Sequence, residues 1–216
     1  MSVLARRTYL PADLRRQQIL DCALESFSRK GFHATSIADI CAAARIARPT
    51  LYQYFRDKRD VLVALADRIA QRVIEAAEGW PEIRIDPRAL PTAEQGLVIL
   101  ETRCAAAIAV VFTDADTARL ILRVTRGSDS VIDATLRQID DRLVGMIEGD
   151  LRIALAAGAI RPCEPGTVAR LILGGIENVV LDALDHDRPI DTAKIAKEAM
   201  SLFSFGLFHR DQEEKS

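Results

Sequence analysis

The chain has 216 residues, of which 49% are hydrophobic and 5% aromatic, and its formal net charge is −2. This length can bury a core and hold one large or two small domains, and abundant Ala, Leu, Ile and Arg favour helices. No uninterrupted apolar run reaches the roughly 18 residues of a membrane span, and no apolar segment typical of a secretory signal precedes Arg15. The composition predicts an all-α cytoplasmic protein with no membrane partner.

Positive charge is concentrated near the N-terminus. Residues 1–60 contain eleven Lys or Arg and six Asp or Glu, a net charge of +5, whereas residues 61–216 contain eighteen and twenty-five, a net charge of −7. A local positive field attracts phosphates. We therefore expect a DNA-binding domain over residues 1–60 and a second domain over residues 61–216.

The chain begins with a polar arm, residues 1–12, which either reaches a groove or phosphate or is a disordered tail. Asp13 is a candidate N-cap for a first helix that runs to about Lys30, and Gly31 is a natural C-terminal stop. The apolar stripe of this helix consists of Ile19, Leu20, Ala23, Leu24 and Phe27.

The next stretch has the pattern of a helix-turn-helix. Ser36 is a candidate N-cap with Asp39 as the acidic half of a capping box, and apolar residues at three- and four-residue steps continue the helix to Ala44. A tight turn follows. The second helix, about Arg48–Phe55, has proline in its first turn and is expected to bury Leu51 and Phe55. It resembles a recognition helix that reads DNA.

Several side chains in this stretch suit DNA. Arg48 could bond guanine, Thr50 a thymine methyl or a base acceptor, and Gln53 adenine or a phosphate. Phosphate contacts are expected from the tyrosine hydroxyls, from the ammonium of Lys58, and from hydroxyl and N–H groups near Ser36. The alternatives are core packing for the tyrosines and a solvated surface charge for Arg48. The predicted DNA-binding residues are Thr35, Ser36, Arg45, Arg48, Pro49, Thr50, Tyr52, Gln53, Tyr54 and Lys58.

Residues from about Arg15 to Leu65 resemble the N-terminal domain of the TetR family of bacterial transcriptional regulators. The resemblance is carried by Ile19-Leu20, Ala23-Leu24, Phe27, Gly31-Phe32, Ala34-Thr35-Ser36, Ile40, Ala44, Thr50-Leu51-Tyr52-Gln53-Tyr54-Phe55 and Lys58. Two positions differ from the family pattern. Arg45 stands where the family usually has Gly, so a left-handed residue with a side chain is expected there, and Ala47 replaces a capping Ser. Each difference costs the turn about 1 kcal/mol.

Asp57 is a candidate cap for a linking helix over about residues 58–78. A proline-rich loop, Gly79–Pro91, then begins the second domain. Five helices are predicted after it, with Ser128, Asp191 and Thr192 as candidate caps: Thr92–Phe112, Asp114–Arg126, Ser128–Ala157, Pro165–Asp185 and Thr192–Phe208.

Two of these segments, Val168–Leu184 and Ile195–Phe208, are apolar on nearly every side. Such helices have to be buried, so we expect them to meet a second copy in a four-helix interface; the alternative is a purely intrachain core. Gly174 and Gly175 suggest close backbone approach at a helix crossing, or room for a ligand. The predicted interface comprises Leu171, Gly175, Val179, Leu184, Met200, Phe203 and Leu207. The family resemblance implies the same homodimer.

The resemblance also implies an effector pocket in the second domain. Its candidate lining is Trp80, Cys104, Ile108, Phe112, Arg119, Leu122, Arg123, Ile147, Ile172 and Glu177. The alternative for each residue is ordinary core packing. Because most of the set is apolar, we expect a hydrophobic or amphipathic effector.

No enzyme motif, cofactor or metal site is predicted. The four cysteines and three histidines lie far apart, without metal-ligand spacing, and no phosphate-binding loop or nucleophile elbow is present. We expect a homodimeric repressor that binds a palindromic operator and is released by a small molecule. The alternatives are a ligand-independent DNA-binding regulator or co-regulatory module, and an enzyme or carrier with a vestigial N-terminal domain.

Overall fold

The computed structural model describes residues 11–78, 93–123, 130–156, 158, 160–186, 188 and 191–207. These residues form nine helices and no strand, in agreement with the predicted all-α class. The helices are α1 (Ala12–Lys30), α2 (Ile37–Ala44), α3 (Arg48–Tyr52), α4 (Lys58–Glu78), α5 (Ala93–Thr113), α6 (Ala115–Arg123), α7 (Ser130–Ala156), α8 (Pro165–Asp185) and α9 (Thr192–Leu207).

The described residues divide into two compact units, one up to Ala66 and one from Asp67. The division falls inside α4, whereas the sequence placed the domain boundary after residue 60. The apolar residues at the start of α4, such as Leu62 and Leu65, are fully buried, so this end of the helix belongs to the core of the first unit.

Helix α1 supplies the largest buried face of the first unit. Ile19, Leu20 and Phe27 are at most 1% exposed, as the predicted stripe requires. The prediction that Asp13 caps this helix was wrong. The N-cap is Pro11, which provides no side-chain hydrogen bond, and Asp13 lies in the first turn, where its charge favours the helix dipole.

Helix α2 begins and ends as its sequence predicts. Ser36 and Asp39 form the reciprocal capping box. At the other end, Arg45 adopts the left-handed conformation, with φ 54° and ψ 44°. The Arg45 N–H donates to Ala42 O and the Ile46 N–H donates to Cys41 O. This is the Schellman pattern that normally ends on glycine.

Helix α3 is shorter than predicted, because regular helix ends at Tyr52 rather than near Phe55. Gln53 and Tyr54 continue as a turn whose N–H groups donate to Thr50 O and Leu51 O. Leu51 and Phe55 are 0% and 2% exposed, which confirms that they anchor this segment in the core.

In the second unit, α5 packs along α9, α7 packs along α8, and α6 contacts both α5 and α8. Two apolar clusters result. The first, here called the α5 cluster, has Ile69, Ile108, Ala118, Val180, Leu184 and Ala196 at its centre. The second, the α7 cluster, has Val144, Leu151, Ile160, Ala169 and Ile172. Ile176 packs against both clusters.

Helix caps in the second unit combine expected and unexpected residues. Asp191 caps α9 as predicted, since its carboxylate accepts from the Lys194 N–H at 3.0 Å. The cap of α8 is Glu164, whose carboxylate accepts from the N–H groups of Gly166 and Thr167. Ser128, a predicted cap, lies outside the described residues.

One described segment, Gln95–Thr113 in α5, is long and apolar enough to cross a membrane by length and composition alone. Core helices of soluble proteins pass the same test. Arg103, inside this segment, is only 12% exposed and pairs with Asp150 of α7 at 3.0 Å. The segment is therefore held by a polar contact within the helical bundle.

Candidate nucleic-acid interface

The recognition segment presents polar side chains outward around the buried Leu51. Arg48, Pro49, Tyr52 and Gln53 are exposed, whereas Thr50 and Tyr54 are half-buried. No hydrogen bond, ion pair or ring contact joins these six side chains to another residue in the part of the chain that the structure describes. This surface matches most of the prediction for residues 48–54.

Arg48 lies close enough to the end of α2 to act electrostatically on Cys41. Burial raises the pKa of the Cys41 thiol, and the positive charge of Arg48 acts in the opposite direction. The guanidinium therefore lies at the junction of α2 and α3, at the start of the recognition helix.

Lys58 has a different position from the one predicted. Its ammonium donates hydrogen bonds to the carbonyl oxygens of Phe32, His33 and Thr35, each at 2.9 Å. It also lies 4.8 Å from the centroid of the Phe32 ring. An ammonium has three protons, and all three are used. In the described structure Lys58 fixes the loop between α1 and α2, and its predicted phosphate contact is tested by the salt dependence of DNA binding.

Thr35 also faces inward. Its residue is 1% exposed, and its hydroxyl lies 2.8 Å from Gly31 O and 3.2 Å from Ser26 O. Its N–H donates to Gly31 O. Both polar groups of Thr35 are therefore bonded inside the unit, and its phosphate contact stays a prediction.

Ser36 is exposed, but its donor groups are engaged. Its N–H donates to Asp39 Oδ2 at 2.9 Å, and its hydroxyl lies 2.7 Å from the same oxygen. Lys30 Nζ binds Asp39 Oδ1 at 2.6 Å. The hydrogen bond from Lys30, followed by those from Ser36, lowers the pKa of Asp39 well below its usual range. The Ser36 N–H is therefore engaged inside the unit, and its phosphate contact stays a prediction.

The remaining cations of the first unit differ in their engagement. Arg29 pairs with Glu25, Arg56 pairs with Asp60, and the Arg16 guanidinium lies 5.1 Å from the centroid of the Phe55 ring. Arg45 and Arg48 are both exposed, and neither has a hydrogen bond, ion pair or ring contact within the described ranges. These two arginines flank the turn that leads into α3.

The candidate effector residues separate into two groups. Cys104, Ile108, Phe112 and Leu122 belong to the α5 cluster, and Ile147 and Ile172 belong to the α7 cluster. Glu177 is half-buried and has a partner of its own. Trp80 and the side chain of Arg123 lie outside the described structure.

Arg119 does not extend into the α5 cluster as a free charge. Its Nη2 and Nε donate to Leu184 O at 2.7 and 3.2 Å, and its Nη1 lies 3.3 Å from Asp116. The guanidinium therefore binds a carbonyl in the last turn of α8. In this arrangement the charge satisfies a helix terminus, and a role of Arg119 in an effector pocket stays a prediction.

Sequence reasoning missed Thr117 of α6. This residue is 0% exposed, and its hydroxyl has no hydrogen-bond partner among the described residues. It follows Asp116 and precedes Ala118 of the α5 cluster. An amphipathic helix can bury a threonine at any inward position, so no local signal distinguishes it.

The predicted dimer residues differ in their exposure to solvent. Leu171 and Val179 are 64% and 47% exposed, and Gly175 is exposed too. Leu184 and Met200 are 3% and 9% exposed, so they pack within the single chain and leave little surface for the predicted interface. The side chains of Phe203 and Leu207 lie outside the described structure.

The exposed residues of α8 follow one face of the helix. They recur at three- and four-residue steps, and we call them the α8 stripe: Leu171, Gly174, Gly175, Asn178, Val179 and Asp182. A Cβ added at Gly174 or Gly175 would meet nothing within 4 Å. Contacts within the described chain therefore do not require glycine at these positions.

A helix-turn-helix with an exposed, cationic recognition segment defines a DNA-binding protein. Residues 19–65 match the family model described as "Bacterial regulatory proteins, tetR family". Residues 19–65 therefore form a DNA-binding domain similar to those of this family, and the comparisons support a DNA-binding transcriptional regulator.

Relatives and solved structures agree with this class along most of the chain. The Fatty acid metabolism regulator protein of Bacillus subtilis is 24% identical over 89% of this chain and 95% of its own length. The HTH-type transcriptional activator FasR of Mycolicibacterium smegmatis is 24% identical over 94% of this chain and 88% of its own. The crystal structure of FadR from Bacillus subtilis with stearoyl-CoA has the same fold, with a TM-score of 0.71, 21% identity, and coverage of 86% and 96%.

Proposed function

We propose that the protein is a homodimeric repressor that binds a palindromic operator and is released by a small molecule with a long apolar chain. The exposed recognition segment, with Arg48 at its start and no partner for its polar side chains in the described structure, carries the DNA-binding part. A dimer would present two such segments about one helical turn of DNA apart, ~34–36 Å. DNA as the ligand implies the bacterial cytoplasm as the compartment.

The proposed base-reading residues lie in α3 and in the turn that follows it. Arg48 would bond guanine and Thr50 would meet a base edge, while Gln53 would reach adenine or a phosphate. Tyr52 and Tyr54 would bind phosphate oxygens through their hydroxyls. Pro49 would pack against the groove without needing a donor. Ser36 is exposed at the start of α2, but its N–H and hydroxyl are engaged with Asp39. We therefore assign it no base contact.

The homodimer is supported by the α8 stripe. Leu171 and Val179 are exposed apolar side chains on this face. Between them lie two glycines, so no side chain projects from the centre of the stripe. Small residues allow two helix backbones to approach closely, and a two-fold axis would place the stripe against its own copy. Burying this face would remove the exposed apolar side chains from water.

The effector is supported by the α5 cluster. The most apolar part of α5 has a mean hydropathy of 1.8, yet only 11% of it is buried. Cys104, Phe112 and Leu122 are only partly buried there. A long acyl chain would cover such surface, and the buried hydroxyl of Thr117 could donate to a thioester carbonyl. Long-chain acyl-CoA is therefore the proposed effector class, as in the FadR complex from Bacillus subtilis.

The proposed sign of regulation is repression. The effector would favour a spacing of the two recognition segments that does not fit the operator, so that effector and DNA weaken each other's binding reciprocally. The FasR relative is named an activator. In this proposal the effector-free dimer binds DNA, whereas an activator of the opposite sign would require the effector for binding.

The test is a fluorescence-anisotropy titration of the full chain with a duplex selected from a random pool, at several concentrations of stearoyl-CoA. Free coenzyme A serves as the control. We expect at least tenfold weaker DNA binding with stearoyl-CoA and no change with coenzyme A. Equal affinity under all conditions contradicts effector release and favours a ligand-independent regulator.

A further inference from the structure

Arg45 occupies a conformation that is costly for its residue type. It is the only non-glycine residue with positive φ in the described structure. The position closes α2 through the Arg45–Ala42 and Ile46–Cys41 hydrogen bonds. Glycine adopts this conformation without a steric penalty from Cβ. The backbone geometry therefore gives no reason for arginine at this position.

No contact of the Arg45 side chain inside the unit offsets the steric penalty of the left-handed conformation. Arg45 is exposed, and no hydrogen bond, ion pair or ring contact links it to another described residue. Most neighbouring cations have a structural role: Lys58 binds three carbonyl oxygens, and Lys30 and Arg56 pair with carboxylates. A strained residue with an unengaged charge suggests a function outside the folded unit.

The position of Arg45 indicates what this function is. It lies in the turn immediately before α3, three residues ahead of Arg48. Residues at the start of a recognition helix face base edges, whereas residues beside that helix face the sugar-phosphate backbone. Because Arg45 lies outside α3, a long guanidinium side chain there is suited to a phosphate flanking the bases that Arg48 reads.

We propose that Arg45 is a phosphate contact, retained for its charge at a position where glycine is conformationally preferred. This proposal rests on the proposed operator complex and specifies one of its contacts. Arg45 would supply affinity and salt dependence, while Arg48 supplies base preference. Lys58, whose ammonium is occupied, supplies neither directly.

The experiment compares the wild-type chain with Arg45→Gly and Arg45→Lys, and with Arg29→Gln as a control that removes a carboxylate-paired cation from the same unit. For each protein, operator affinity is measured from 50 to 200 mM salt, together with base preference and the thermal midpoint. One lost phosphate contact changes the slope of log K against log salt by about 0.9. A dimer loses two such contacts, so its slope should change by about 1.8. Between about 50 and 200 mM salt, the affinity of the wild-type chain should therefore fall about 12-fold more than that of Arg45→Gly.

We also expect Arg45→Gly to raise the thermal midpoint by about 2–4 °C, because the left-handed strain is relieved. Arg45→Lys should restore most of the salt dependence without raising the midpoint, and Arg29→Gln should leave the slope at its wild-type value. Together, weaker DNA binding and a more stable fold distinguish a phosphate contact from a structural role.

Three results would overturn the assignment. They are an unchanged salt slope in Arg45→Gly, a loss of thermal stability in that variant, or an altered base preference with an unchanged slope, which indicates base reading instead. Failure of the proposed operator complex gives a separate result, because the wild-type chain itself would then show no selected sequence.

Discussion

Replacing Lys58 by Met should destabilise the N-terminal unit, and the expected size follows from the three 2.9 Å hydrogen bonds of its ammonium. A hydrogen bond to a charged group contributes about 1.5–3 kcal/mol. Water can replace the lysine at those loop carbonyls that are near the surface, so the full sum is not lost. We expect the free energy of unfolding to fall by about 2–3 kcal/mol.

The assay is urea unfolding followed by far-UV circular dichroism, with the salt slope of DNA binding measured under conditions where each protein is folded. Lys30→Met is the matched control. Its ammonium forms one exposed pair with Asp39, which is expected to contribute about 0–1 kcal/mol. The slope for Lys58→Met should equal that of the wild type, because the ammonium is not on a phosphate.

The opposite pattern refutes this reasoning. If Lys58→Met unfolds at the wild-type urea concentration and its salt slope falls by about 0.9 per subunit, then the lysine binds DNA rather than the loop. A loss of stability no larger than that of Lys30→Met would likewise contradict the calculated contribution.

Three further predictions concern the dimer, the effector site and the capping box. Val179→Arg should give a folded monomer with weaker operator binding, because it places a charge in the α8 stripe. Analytical ultracentrifugation measures the oligomeric state, and the control Ile153→Arg, also at an exposed site, should remain dimeric. Thr117→Val should stabilise the effector-free protein by about 1 kcal/mol, since it removes a buried hydroxyl that has no partner among the described residues. It should also reduce the thermal shift caused by stearoyl-CoA. A variant less stable than the wild type would contradict the first expectation. Asp39→Asn should destabilise the protein at neutral pH, and the difference should shrink as pH falls below the ordinary carboxyl pKa of 3.8, because the lowered pKa of Asp39 stabilises the fold only while the carboxylate is ionised. Urea unfolding at a series of pH values measures this, and either no difference or a difference independent of pH would contradict it.

Local interactions in the helix-turn-helix could be predicted from the sequence. Ser36 and Asp39 are three residues apart, and the Asp57 carboxylate accepts from the Asp60 N–H at 2.9 Å. Arg45 had to be left-handed because it follows the last residue of α2 before a tight turn. Such features depend on neighbours within one turn of helix, which the sequence specifies directly.

Long-range contacts could not be predicted in the same way. Lys58 bonds carbonyls that are 23 to 26 residues away, and Arg119 bonds a carbonyl 65 residues away. Backbone carbonyls are present at every position and give no sequence signal. A long cationic side chain therefore looks equally suited to a phosphate or to an internal carbonyl until the fold is known.

The apolar helices show a related limit. Both sides of α8 are rich in apolar residues, so their pattern does not tell which side packs within one chain. The structure shows that Leu184 faces inward, whereas Leu171 and Val179 face solvent. Periodicity gives the helix, and tertiary packing decides which face remains for a second copy.

Selection of bound duplexes from a random DNA pool tests the central claim most directly, namely that two recognition segments held by a dimer read one operator. We expect an enriched palindrome whose half-sites are centred about 10 base pairs apart, with guanine at the position contacted by Arg48. Enrichment of a single asymmetric site, or no enrichment at low salt, would contradict it.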